Sequence, residues 1–248
     1  MFQRKLAPVW VALLVWIAWA IGMQSGQRWH LFEDNYFMSL TMAVGSFIAG
    51  ATSEGGGAVA FPVMTLGFKI APGVARDFSL MIQSVGMVAA AATIFFTRIP
   101  VLRQSVIWSS VGGAIGVVLA FEGLARWPIP PVYAKMLFTS TWLAFAFALY
   151  WINRYHDREV HDHIERFSGR HRVLLASVGV LGGVITSITG SGLDILTFSL
   201  LVLRFRISEK IATPTSVILM GFNALFASLY KGGVQHGLDP AAWNYWWV

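Results

Sequence analysis

Two stretches of this chain are too long and too broken to be ordinary helices, and they constrain the fold more than anything else in it. Apolar runs lie at 6–23, 37–68, 77–97, 105–121, 131–151, 173–203, 211–230 and from 241 onward. Most approach the roughly 20 residues that cross hydrocarbon as one helix. Runs 37–68 and 173–203 exceed that length, and each is interrupted near its middle. The first interruption reads Thr52-Ser53-Glu54-Gly55-Gly56-Gly57 and the second Thr186-Ser187-Ile188-Thr189-Gly190-Ser191-Gly192. Glycine clusters break helices because glycine has no preference for helical dihedrals and exposes backbone.

The rest of the composition agrees with a bilayer. Charged residues make up 12% of the 248 residues, about half the share of a soluble domain, and the mean hydropathy is +0.63. An all-α polytopic membrane protein, one membrane domain over 1–248, is therefore expected. The net charge of +6 lies mostly between apolar runs, where Lys and Arg set topology and meet lipid headgroups; no nucleic-acid partner is inferred. There is no cysteine, which excludes disulfides and thiol chemistry. The basic start Met1–Lys5 and Ala18-Trp19-Ala20 have the outline of a signal peptide. The apolar run between them is long for a signal core and has a counterpart at 131–151, so it reads as a span.

Each broken run is either one oversized span or a re-entrant hairpin. With a cytoplasmic N-terminus and single spans, the 18 Lys and Arg divide equally between the two sides. With hairpins, Arg4, Lys5, Arg98, Arg103, Arg154, Arg158, Arg166, Arg170, Arg172, Arg204, Arg206 and Lys210 fall inside, against Arg28, Lys69, Arg76, Arg126, Lys135 and Lys231 outside. The positive-inside rule prefers hairpins. Residues 1–122 and 131–248 then each read helix, hairpin, helix, helix, three spans and one hairpin apiece. An odd number of crossings turns one half upside down relative to the other. Gly55-Gly56-Gly57 and Gly190-Ser191-Gly192 stand 135 residues apart, and Ser79 and Ser216 stand 137 apart. Inverted-topology repeats with matching broken helices are a pointer to a secondary transporter. The linker is Arg126-Trp127-Pro128-Ile129-Pro130-Pro131. The last run, with Trp243-Asn244-Tyr245-Trp246-Trp247, is shorter than its mate at 105–121 and reads as an incomplete last helix carrying an interfacial aromatic belt.

Irregular backbone at membrane depth survives only where it is packed in protein or lines a cavity. Half-helices starting near Ala58 and Leu193 would aim their positive N-termini at the midplane, where two such ends make an anion site without a cation. Thr52, Ser53, Ser187, Thr189 and Ser191 would add hydroxyl donors, and Gly55, Gly56, Gly57, Gly190 and Gly192 would supply backbone N–H groups. Close helix packing through small residues is the competing reading. Glu54 and Asp194 are the carboxylates inside the apolar zone. Each is a helix cap or a proton carrier, since an anion alongside favours the protonated acid. Ser79, Gln83 and Ser84 on one helix, and Thr215, Ser216 and Asn223 on its mate, either bond helices together or line the substrate path; Ser79, Gln83 and Ser216 are taken as substrate-binding candidates. Arg76-Asp77 and Glu209-Lys210 read as interfacial ion pairs or caps. The loop residues His156, Asp157, His161, Asp162, His163 and Glu165 match no strict metal pattern. No metal or cofactor is inferred, and no nucleotide or nucleophile motif is found.

Ala49-Gly50-Ala51-Thr52-Ser53-Glu54-Gly55-Gly56-Gly57-Ala58-Val59-Ala60-Phe61-Pro62 resembles the first signature of the sulfite exporter TauE/SafE family. Ile185-Thr186-Ser187-Ile188-Thr189-Gly190-Ser191-Gly192-Leu193-Asp194 resembles its second-half version, and Ala212-Thr213-Pro214-Thr215-Ser216 the family's small-hydroxyl helix start. The resemblance implies a bacterial plasma-membrane exporter of small sulfur-containing anions such as sulfite or sulfoacetate-like organosulfonates, without a cofactor. Two departures stand out: many members carry a small residue at the position of Glu54, and the family usually continues through a full last helix. The expected function is secondary transport of such an anion; a homo-oligomer is compatible with it. An anion channel on the same scaffold is the alternative. An intramembrane enzyme is disfavoured because no Ser–His or Asp pair is placed within the spans.

Overall fold

The computed structural model describes residues 2–52, 55–154 and 159–248, and secondary structure among them is helical apart from one isolated bridge, His161 to Ile207. In chain order the helices are α1 (Phe2–Ser25), α2 (Leu31–Ala51), α3 (Gly57–Pro62), α4 (Pro72–Thr97), α5 (Arg103–Arg126), α6 (Pro131–Arg154), α7 (Gly169–Thr189), α8 (Leu193–Ser199), α9 (Glu209–Leu229) and α10 (Pro240–Trp247). A π turn extends α3 (Val63–Gly67), α8 (Leu200–Arg204) and α9 (Tyr230–Val234). Among the described residues, six helices are long and apolar enough to cross a membrane: α1, α4, α5, α6, α7 and α9.

Both broken runs fold back on themselves. The Phe37 ring near the start of α2 lies 4.5 Å from the Phe68 ring just beyond α3. Deeper in, Gly45 and Met42 face Gly56. The second run repeats this layout: the His171 and Phe205 rings are 5.4 Å apart at its mouth, and Gly182 packs on Leu193 near its tip. The arms are unequal, because α2 and α7 continue past those tip contacts before the chain turns. The outer arm α7 is itself 21 residues long with a mean hydropathy of 1.7, so its length alone would pass for a span; the return of α8 along it makes the pair a hairpin. One boundary differs from the sequence reading. Helix α2 begins at Leu31 rather than near 37, because Glu33 and Asp34 occupy its first turn, where negative charge suits the positive helix end.

Backbone details recur along the chain. The described non-glycine residues with positive φ fall into pairs 137 to 139 residues apart: Gln27 with Arg166, Lys69 with Arg206, and Arg98 with His236. Lys69 and Arg206 each end the π turn that closes a hairpin, with Phe68 N–H donating to Val63 and Phe205 N–H to Leu200.

Helices α4 and α9 form the central pair and run antiparallel. Lys231 meets Asp77, Gly221 packs on the Met87 backbone, and Ile94 shares a buried cluster with Val217. Helix α5 lies parallel to α7 at very short range. A methyl group on Gly112 would overlap the Ala176 carbonyl, and one on Gly116 the Val180 carbonyl; the Ser109 hydroxyl donates to the Leu175 carbonyl at 3.3 Å. Close backbone approach through small residues is how helices gain dispersion contact in a medium as apolar as their side chains.

Candidate functional site

The two glycine breaks meet on one face of α4. The Ser79 hydroxyl donates to the Gly57 carbonyl at 3.3 Å. A methyl group on Gly190 would stand 2.6 Å from Ser79 Cβ and 3.1 Å from the Arg76 carbonyl oxygen. One turn on, Gln83 lies against Gly55 and Gly57. Gly190 also carries φ +87°, a left-handed conformation that glycine adopts without strain and that ends α7. The sequence folds this way because Gly55, Gly57 and Gly190 remove the side chains that would hold the breaks away from α4, while Gly56 and Gly192 let the chain turn close to Met42 on α2 and Ile185 on α7.

Gln83 is 2% exposed, and neither its Nε2 nor its Oε1 finds a hydrogen-bond partner among the described residues. Asn223 on α9 is in the same condition at 1% exposed, beside Gly113 and close to Leu193, the first residue of α8. An unpaired buried amide costs about 1–3 kcal/mol, so two of them near the starts of the half-helices mark places where stability is given up.

The hydroxyl candidates divide sharply. Ser79 reaches across to the first break, as above. Ser187 donates to Gly183, Ser216 to Ala212, and Thr189 to Ile185 and Ser191, all backbone carbonyls. Thr52 is exposed and donates to Ile48. Serine and threonine in apolar helices commonly bond back one turn in this way. In this arrangement their protons are already engaged, whereas the Gln83 amide is not. Ser53 and Glu54 lie outside the described residues.

The second half-helix carries its own anion. Asp194, 2% exposed, accepts from Gly192 N–H at 3.1 Å and from the Ser191 hydroxyl at 3.3 Å. Leu193 N–H donates to Thr186 Oγ1 at 3.2 Å. The positive end of α8 is thus partly neutralised from within, and the two breaks are not electrostatic twins.

A buried charge cluster beneath the site escaped the sequence reading. Asp77, 1% exposed, accepts from Arg76 Nε at 2.8 Å, Lys231 Nζ at 2.8 Å and Asp239 N–H at 3.1 Å. Sequence offered the Arg76–Asp77 pair alone; Lys231 is 154 positions away and arrives only through the antiparallel packing of α4 and α9. At the other end of the α4–α9 pair the backbone-to-side-chain contact involves no charge: Leu102 N–H donates to Thr215 Oγ1 at 3.0 Å. Beside the cluster, the Tyr230 hydroxyl and the Gln235 amide donate to Glu122 at 2.8 and 3.1 Å. A cavity of about 200 Å³, lined by Pro72, Arg76, the linker prolines Pro128 and Pro131, and Ile188, lies next to the second break.

Apolar helices packed on two hairpins whose glycine-broken tips are buried define a multi-pass membrane protein built around interrupted helices. The chain belongs to the sulfite exporter TauE/SafE family, whose model matches residues 37–246, and is a membrane transporter of sulfite-type anions. Comparison with curated proteins and with solved structures finds no significant match in either.

Proposed function

We propose that the protein carries sulfite or a sulfoacetate-like organosulfonate across the bacterial plasma membrane as a secondary transporter, N-terminus in the cytoplasm, by rocking two inverted halves, 1–122 and 131–248, about the glycine breaks. The observation that carries this reading is the meeting of both breaks on Ser79 with the unpartnered Gln83 amide alongside. A small oxyanion offers acceptors in all directions. The Gln83 Nε2 hydrogens and the Gly57 N–H at the start of α3 are donors suited to it, and Gly57–Gly67 adds the positive end of an apolar helix.

Inversion is supported by the antiparallel run of α4 against its mate α9. It is supported equally by the paired hydrogen bonds at their two ends, Asp239 to Asp77 and Leu102 to Thr215. The grouping of the cations supports the hairpin topology as well. Lys69, Arg76, Arg126, Lys135 and Lys231 lie toward the end of the bundle where α4 starts; Arg98, Arg103, Arg172, Arg204, Arg206 and Lys210 lie toward the other.

Coupling to protons is assigned to Glu54 and Asp194. Protonating Asp194 removes a negative charge at the second break and weakens its hold on the Gly192 N–H, so proton and anion favour each other. The reading is tested by flux of sulfite, sulfoacetate and taurine into proteoliposomes. Saturable, exchange-type flux of a sulfur oxyanion that drops at least tenfold in Gln83→Leu supports it. No response to any of the three refutes the substrate, and ohmic conductance assigns a channel instead.

A further inference from the structure

A second cavity lies away from the glycine breaks. It is a cleft of about 1190 Å³ where the end of α4 turns into α5, closed on its inner side by Ile94 and Ile218. Its outer walls are Phe95, Phe96, Ile99 and Ile107, and all four are exposed; Phe95 is 76% exposed. Two cations, Arg98 and Arg103, stand at the same cleft. Both are exposed, and neither side chain makes an ion pair or hydrogen bond among the described residues. Arg98 ends α4 in the left-handed conformation, φ 58°, which turns the chain between the two arginines.

The dimensions and lining point away from a sulfite-sized solute. Such an ion needs converging donors in a small space, and this cleft is large, open and mostly hydrocarbon. An amphipathic anion satisfies both parts: acyl chains against the phenylalanine and isoleucine walls, and a phosphate between two guanidinium groups, which bind phosphate oxygens in paired hydrogen bonds. Basic pockets between transmembrane helices at the membrane interface bind anionic headgroups for this reason. We propose that the α4–α5 cleft is a binding site for an anionic phospholipid, with Arg98 and Arg103 holding its phosphate.

The test is native mass spectrometry of the detergent-solubilised full chain with palmitoyl-oleoyl phosphatidylglycerol or the matching phosphatidylcholine. The proposal expects phosphatidylglycerol to be retained in preference to phosphatidylcholine. Affinity should fall about thirtyfold in the double variant Arg98→Asn and Arg103→Gln, since each interfacial cation contributes about fivefold. Asparagine tolerates the left-handed conformation at 98. Arg126→Gln, an exposed cation at the opposite end of α5, should leave retention unchanged, and millimolar sulfite should not displace the lipid. Equal retention of the two lipids, or undiminished retention in the double variant, overturns the proposal. So does loss of retention in Arg126→Gln alone, or displacement by sulfite, which would assign the cleft to the transported anion.

Discussion

The Asp77–Lys231 pair allows a quantitative statement about how α4 and α9 are held together. Among the described residues, the Lys231 ammonium donates to Asp77 alone, at 2.8 Å; it lies 5.9 Å from the Phe121 ring and within reach of the charges of Arg76 and Asp239. Asp77 is better supplied, keeping Arg76 Nε and Asp239 N–H when Lys231 is gone. The two single substitutions are therefore unequal. Asp77→Leu strands a buried ammonium, a loss of about 3–5 kcal/mol. At ~2–4 °C per kcal/mol for a chain of this size, that is a fall in Tm of about 6–20 °C. Lys231→Met leaves a carboxylate with two donors and replaces one long chain by another, so its cost is nearer ~1–2 kcal/mol. The double variant removes both charges and should recover most of the loss, because a buried ion pair replaced by apolar groups is often close to neutral. Thermal unfolding of the purified protein in detergent, followed by tryptophan fluorescence, reads all four species. The reasoning is refuted if Lys231→Met is as damaging as Asp77→Leu, or if the double variant melts no higher than Asp77→Leu.

Gly116→Ala should lower Tm markedly, by the equivalent of about 1–3 kcal/mol, because its methyl group meets the Val180 backbone carbonyl rather than a movable side chain. Gly86→Ala on α4, with open space around it, should be neutral or raise Tm slightly; both are read in the same melt. Gln83→Leu should cut sulfite flux while raising Tm, since it deletes an unpaired buried amide; loss of flux with a lowered Tm would instead mean misfolding. Glu54→Gln should flatten the dependence of flux on pH, and an unchanged profile would remove Glu54 from coupling.

Much of the architecture was legible because glycine clusters in long apolar runs leave few physical options. The breaks fall where Gly55-Gly56-Gly57 and Gly190-Ser191-Gly192 said they would, and α3 and α8 start at Gly57 and Leu193. The site was less legible. A hydroxyl in an apolar helix looks the same in sequence whether it faces a ligand or bonds its own backbone, so Ser187, Thr189 and Ser216 could not be told from Ser79. Asp194 read as either a helix cap or a proton carrier, and the sequence does not tell that it bonds Gly192 N–H and the Ser191 hydroxyl just ahead of α8. The Lys231–Asp77 contact depends on the register of two helices packed antiparallel, and no local pattern around residue 231 carries that information.

The central claim is that a small sulfur oxyanion rests where the two glycine breaks meet α4. Selenite, the selenium analogue of sulfite, gives a direct reading through anomalous diffraction from crystals soaked with it. The account expects one selenium peak within hydrogen-bonding reach of the Gln83 amide and the backbone at Gly57, lost in Gln83→Leu crystals. A peak elsewhere in the bundle, with none beside Gln83 in a protein that still transports sulfite, would contradict it.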